Sequence, residues 1–341
     1  MKFGVTMFPN NLDDVASGAR LGEEMGFDYV GIADSQSLAR ELYVTLSVAA
    51  MSTERVMLGP TVSNPLTRHP AVTASAIASV NDLSGGRAFL GIGSGDSAVL
   101  NLGLRPARLA ELHHYIQAVR EMLAGETSEY RGGRAHVRWA ASTPLSTGIP
   151  VAMYAEGPRT LAMAGANADA AIIHTGLTTE VLADTLARIR EGERAAGRQE
   201  GATGIWAFAK CNIADRRDDA IEEIKMALAA SGHHAFRFTL EGKNVPEELR
   251  QPVSILHREY EAAEHEQVGR TRNATLTDEL GLTDYFADRF AVAGTPGECR
   301  AKARAIFAAG VDALLITAIG PSPETIIRRF GQEVIAPLRE G

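Results

Sequence analysis

Short apolar runs of strand length alternate along the chain with longer amphipathic segments, a pattern that predicts repeated strand–helix units. The first four strands read as KFGVTM from Lys2, YVGIAD from Tyr29, VMLGPTV from Val56 and RAFLGIG from Arg87. The next four read as PVAMYA from Pro150, AAIIHT from Ala170, GIWAFAKCNI from Gly204 and DALLITAI from Asp312. Between them, apolar residues recur at three- and four-residue spacing over Asn11–Met25, Leu42–Met51, Ala71–Leu83, Leu109–Ala124 and Thr179–Ala196, as in helices that bury one face. Eight such units favour a closed α/β barrel. An open doubly wound sheet would carry GxGxxG after its first strand, and none occurs there. GIGSGD, Gly91–Asp96, lacks that spacing and follows the fourth strand.

Two segments break the rhythm. Residues 124–148 contain Gly132, Gly133, Pro144 and Gly148 and read as a loop or hairpin. Residues 232–288, between the seventh and eighth strands, turn polar and histidine-rich, for example in REYEAAEHEQ from Arg258. Their position beside the C-terminal face of a barrel predicts a partly helical lid.

The 341 residues exceed the roughly 250 of a plain barrel but stay within the range reached with insertions, so one domain spanning 1–341 is expected. Hydrophobic residues at 45% against 22% charged supply a sizeable core. A net charge of -8 without a basic block makes nucleic acid an unsuitable partner. Cys211 and Cys299 are too few and too far apart for a disulfide framework or zinc cluster, and read as buried thiols of a reducing compartment. MKFGVTMF lacks the long apolar stretch of a signal peptide, and no apolar run reaches membrane-spanning length. A cytoplasmic protein with neither membrane nor nucleic-acid partner is expected.

In such a barrel, residues at the C-terminal strand ends share one pocket. That rule selects Phe8, Asn10, Asp34, Ser35, Thr61 to Asn64, Gly95, Asp96, Glu156 to Arg159, and His174 to Gly176. EGPRT, Glu156–Thr160, opens a helix, with Gly157 permitting close approach and Pro158 suited to the first turn. It is either a phosphate cradle with Arg159 adjacent or a plain strand-to-helix turn. His174 either bonds a heterocycle in the pocket or is a satisfied structural group. Asp34 and Asp96 either serve the pocket or cap the following helices. The other histidines are weaker candidates: His113 and His114 lie on a helix, and His233, His234, His257 and His265 lack metal-ligand spacing. No metal site is expected.

From Val56 to Ala98, VMLGPTVSNPLTRHPAVTASAIASVNDLSGGRAFLGIGSGDSA, the sequence resembles the luciferase-like monooxygenase superfamily, closest to its F420-dependent methylenetetrahydromethanopterin reductase-like branch. The resemblance continues in YAEGPRTLAMAGANADAAIIHTG from Tyr154, in VAGTPGECRAKARAIFAAGVDALLI from Val292, and in IGPSPETI near the C-terminus. It implies a (β/α)8 TIM barrel of the bacterial-luciferase type, often a homodimer, holding F420 or FMN at its C-terminal face. Carried over by residue, Asp34 with Thr61, Val62, Ser63 and Asn64 would line the ring, and Gly95 and Asp96 would border it. Gly157, Pro158 and Arg159 would hold the phosphate end, with His174, Thr175 and Gly176 closing that side. The resemblance also implies a non-proline cis peptide in the third-strand bulge, at Thr61–Val62.

Many relatives carry Asp-His or Glu-His after the second strand, where this chain has Asp34-Ser35, followed by Gln36 and Ser37. A serine cannot replace histidine as a general acid near neutral pH. Three functions follow from the resemblance. The first is hydride transfer between F420 and a small organic substrate, with Asp34, Ser35, Asp96, Glu156 and His174 as polar candidates for catalysis. The second is a two-component monooxygenase that takes FMNH2 from a separate flavin reductase and uses oxygen. The third is a flavin-binding barrel without catalysis.

Overall fold

The computed structural model describes residues 1–341 except 9, 37, 140–147, 238, 262–263, 265–268, 270, 321 and 341. The expectations on Ser37, Pro144 and His265 therefore lie outside the described residues. The strands are β1 (Lys2–Met7), β2 (Tyr29–Ile32), β3 (Met57–Pro60), β4 (Leu90–Ile92), β5 (Ser128–Tyr130) and β6 (Gly133–Ala135). They continue as β7 (Val151–Ala155), β8 (Ala170–Ile173), β9 (Gly204–Ile213), β10 (Ala291–Gly294) and β11 (Ala313–Ala318).

Eight parallel strands follow the order β3-β2-β1-β11-β9-β8-β7-β4. Bridges at Leu58–Ala88 and Ser63–Ile92 join the two ends, so the sheet closes into the expected (β/α)8 barrel. Each of the eight apolar runs contains one of these strands. Closure requires glycine at the seam: a Cβ on Gly59 would lie 2.2 Å from the Phe89 carbonyl oxygen, and one on Gly91 2.0 Å from that of Pro60. The LGP and LGIG motifs thus allow β3 and β4 to meet.

Alternate residues turn inward, where Trp206 packs against Tyr29 at 4.8 Å and Phe89 at 5.3 Å between ring centroids. The larger apolar cluster lies between strands and outer helices. Those helices occupy Leu12–Glu24, Leu42–Met51, Pro70–Ser84, Leu109–Leu123 and Thr179–Ala195, within about a residue of the spacing-based boundaries. Pro70 and Pro158 each open a helix, where a missing N–H costs nothing. Residues 124–148 include an antiparallel hairpin of β5 and β6, whose turn residues Arg131 (φ 48) and Gly132 (φ 79) are left-handed.

β10 has no counterpart among the eight expected strands. β9 is ten residues long and outruns β8, which pairs only with Gly204–Ala207. β10 takes the next stretch, Lys210–Ile213. Between β9 and β10 lie the helices Arg217–Glu222, Lys225–Phe236, Glu247–Glu259, Arg272–Glu279 and Thr283–Phe290. They are packed around an apolar cluster separate from that of the barrel, including Leu228, Phe236, Leu256, Phe286 and Phe290.

Candidate active site

The third strand ends in a bulge whose Thr61–Val62 peptide is cis, where the family resemblance put it. Its backbone is held on both sides: Thr61 N donates to the Ile32 carbonyl at 2.8 Å and Ser63 N to that of Gly91 at 3.0 Å. Asn64 folds back to accept from the amides of Leu66 and Thr67, both at 3.0 Å, which fixes the turn leaving the bulge. The Ser63 hydroxyl donates to Oδ2 of Asp34 at 2.6 Å.

Asp34 is also gripped by both terminal nitrogens of Arg68, at 2.6 and 3.2 Å, and its side chain is only 2% exposed. Arg68 reaches Glu41 as well, at 2.8 Å, and lies over the Tyr43 ring. Ser35 exchanges a hydrogen bond of 2.9 Å with Ser97, tying the end of β2 to the segment after β4.

These elements floor a cleft at the C-terminal mouth of the barrel. Phe8, Asp34, Ser35, Gly95, Asp96 and the whole stretch Thr61–Asn64 line it, joined by Tyr154, His174, Lys210, Ser231 and His234. Asn10, expected on the same face, is exposed and outside the lining. A second cleft adjoins the first and shares Gly95, Tyr154 and His234 with it. Its walls include Glu156, Gly157, Pro158 and Arg159 at the start of the helix Pro158–Asn167, with Arg237 and Lys243 opposite. The amides of Glu156 and Gly157 donate to the Thr160 hydroxyl at 3.2 and 2.9 Å. Arg159 and Thr160, within the first turn, have no intrahelical acceptor for theirs.

Thr175 lies instead in a third, smaller cleft with Glu156, Lys243 and Arg289. Its carbonyl accepts from Nε of Arg289 at 3.0 Å, and Gly176 (φ 142) packs on the same side chain. Of the residues expected on one pocket wall, His174 faces the first cleft while Thr175 and Gly176 turn towards Arg289.

The wall between the first two clefts carries the densest charge in the site. His234 Nδ1 lies 2.9 Å from Asp96 Oδ2, and Nε2 lies 3.1 Å from Glu156 Oε2 without the alignment of a hydrogen bond. Arg237 donates to the other oxygen of Asp96 at 2.5 Å. The second oxygen of Glu156 accepts from the Tyr154 hydroxyl at 2.9 Å and lies 3.4 Å from His174 Nδ1.

Burial opposes the charge on His234, but the carboxylates of Glu156 and Asp96 outweigh it and push its pKa up to about 9. Burial likewise opposes ionisation of Glu156 and Asp96, yet His234, aided by His174 at Glu156 and by Arg237 at Asp96, holds both below the usual carboxylate range. His174 moves the other way, because its burial outweighs the pull of Glu156. Tyr154 is raised by burial and by the adjacent Glu156 charge. One imidazolium and one neutral imidazole therefore share one carboxylate.

The sequence ranked His234 among the weaker histidines and did not single out Tyr154, Lys210, Arg237 or Lys243, all of which line the clefts. His234 sits near the end of KMALAASGHHAF, Lys225–Phe236, a helix with mostly buried residues rather than a solvated lid face. The available signal was Asp96 and Glu156 themselves, two strand-end acids in need of a cation from elsewhere in the chain.

The model of the luciferase-like monooxygenase family matches residues 1–313. This chain belongs to that family. Among curated members, the 5,10-methylenetetrahydromethanopterin reductase of Methanolobus tindarius is 31% identical over 343 residues, covering 98% of this luciferase-like chain and 100% of that one. The F420-dependent glucose-6-phosphate dehydrogenase of Nakamurella multipartita is 27% identical, with 97% and 93% coverage. The coenzyme F420 dependent tetrahydromethanopterin reductase from Methanopyrus kandleri superposes with a TM-score of 0.79 at 25% identity, over 98% of this chain and 99% of that one.

Proposed function

We propose that this luciferase-like protein is an oxidoreductase that moves a hydride between coenzyme F420 and a small organic substrate in the first cleft. The observation that carries the reading is the pair of adjoining clefts. One is floored by the Thr61–Asn64 bulge; the other meets a helix N-terminus flanked by Arg159, Arg237 and Lys243. That pairing suits an elongated ligand with a planar heterocycle at one end and an anionic tail at the other. Full-length likeness to relatives named for F420 supports the deazaflavin over FMN.

The residues present fit such a group. Nε2 of His174 and Oγ of Ser231 are buried without a hydrogen-bond partner among the described residues, and both residues line the first cleft. A heterocycle edged with carbonyl and N–H groups would satisfy them. Asp34, through Ser63, holds the bulge, while Gly95 and Asp96 border the ring space. Gly157, Pro158 and Arg159 receive the tail, and Thr175 and Gly176 brace that side through Arg289. When bound, F420 supplies a carbon that gives or takes the hydride. The protein's part is to orient the substrate, exclude water and handle the accompanying proton. In this reading the segment 232–288 serves as the lid.

The protein also acts as a homodimer. The helix Leu42–Met51 is apolar on both faces: Leu42 and Leu46 are buried, whereas Val44 and Met51 are 52% and 76% exposed. Val72, on the adjacent helix Pro70–Ser84, is 54% exposed.

Titration of purified protein with F420 and FMN in both redox states, followed by oxygen uptake with the reduced forms, tests the cofactor and the chemistry together. F420 binding without oxygen consumption is expected. Tight FMNH2 binding with oxygen-dependent turnover, and no F420 binding, overturns the reading in favour of a monooxygenase.

A further inference from the structure

We propose that His234, carried into the barrel mouth by the insertion between β9 and β10, is the catalytic acid of this site, oriented by Asp96 and Glu156. The proposal rests on the hydride-transfer reading and adds to it the proton donor and the class of substrate that needs one.

His234 is the one imidazole that lines both main clefts among the described residues. Its Nδ1 is engaged by Asp96 at 2.9 Å, which fixes the ring as an orienting carboxylate does. Its Nε2 pairs with Glu156 at 3.1 Å without an aligned hydrogen bond, so that proton is the less tightly held of the two and the one assigned to the substrate. His174, 6.4 Å away between ring centroids, faces the other oxygen of Glu156. Two histidines on one carboxylate, one driven towards the cation and one towards the neutral form, separate into an acid and an acceptor.

The charged and titratable groups around His234 come from every neighbouring element. Asp96 follows β4, and Tyr154 and Glu156 belong to the end of β7. His174 follows β8, while Arg237 and Lys243 come from the insertion. Lys210 of β9 acts on His174 and further disfavours its charge. The two acids nearest His234 both favour its protonated form.

The substrate class follows from the proton. A carbonyl or imine carbon gains a hydride from the reduced deazaflavin, forming a C–H bond, while the π pair of the C=O or C=N bond moves onto the heteroatom. That heteroatom takes the proton leaving His234 Nε2, and neutral His234 is reprotonated from water. An acceptor already alkylated on nitrogen, an iminium, needs the hydride alone. The acid therefore matters for the first class and not for the second.

The experiment compares wild type, His234→Gln and His234→Lys, each loaded with reduced F420, using cyclohexanone and an N-methylquinolinium salt as probe acceptors. The Gln variant should reduce the ketone about a hundredfold more slowly while changing the quinolinium rate by less than about threefold, with partial recovery in the Lys variant. Wild-type ketone reduction should be level below pH 8 and fall above the His234 pKa of about 9.

Nitrogen-15 NMR of labelled histidine in the F420-bound protein gives a readout independent of turnover. Doubly protonated His234 and singly protonated His174 at pH 7 are expected. F420 binding and the thermal transition of each variant report folding, and the NMR measurement stands even where a variant fails to fold. F420 bound beside a neutral His234 at pH 7 overturns the acid alone, as does equal slowing of both acceptors. Absence of F420 binding overturns the functional reading. A wild type that reduces neither probe brings down both together, and one that reduces only the quinolinium overturns the acid.

Discussion

Replacing Arg68 by methionine is the sharpest test of how the floor of the first cleft is held. The Asp34 side chain is 2% exposed and that of Arg68 13%, with contacts of 2.6 and 3.2 Å between them. Removing the guanidinium leaves a buried carboxylate with only the Ser63 hydroxyl, and breaking a buried pair from one side costs about 3–5 kcal/mol. The Arg68–Glu41 contact adds at most about 1 kcal/mol, because Glu41 is 48% exposed. Asp34→Asn should cost less, since the guanidinium keeps Glu41 at 2.8 Å. The double variant removes both charges, so the two single costs should exceed the double by at least about 2 kcal/mol. Urea unfolding of the four proteins measures this coupling. Additivity within about 0.5 kcal/mol would refute the view that Asp34 acts through the Arg68–Ser63 framework.

Two further predictions concern charge and assembly. The folded pKa of His234, about 9, stands above its unfolded value of about 6.5, so its stabilisation is fully present below pH 6.5 and lost as pH rises through 9. The contribution amounts to about 3 kcal/mol, and urea unfolding at pH 6.5 and 9.5 should lose more stability in wild type than in His234→Gln; equal losses contradict it. Val44→Asp combined with Met51→Lys should convert a dimer to a monomer in light scattering, and an unchanged mass rules out that face as the interface.

The barrel was legible because its strands are buried on both sides and read as continuous apolar runs, while its helices keep a regular apolar spacing. That Phe8, Asp34, Ser35, Thr61 to Asn64, Gly95, Asp96 and His174 would share one cleft was legible too, since the barrel's polarity dictates which strand ends come together, whereas Asn10 fell outside it. β10 was not: AVAG is four residues with no alternation, and only the overhang of β9 makes it a strand. His234 escaped for a related reason. Its partners, Asp96 and Glu156, lie far back in the sequence, and no local pattern links them to a small-residue helix. Arg68 lay inside the recognised TRHP segment, but its grip on Asp34 depends on the two strand ends becoming neighbours.

The insertion's apolar cluster, which takes in Ala291 and Ala293 of β10, means that the histidine over the cleft is carried by helices packed apart from the barrel's larger core. Local opening of those helices would withdraw His234 from the cleft, whereas the bulge and the helix Pro158–Asn167 belong to the barrel itself. The same partition makes the chemistry graftable: a different insertion on an unchanged barrel would bring a different proton donor, or none, over the same floor.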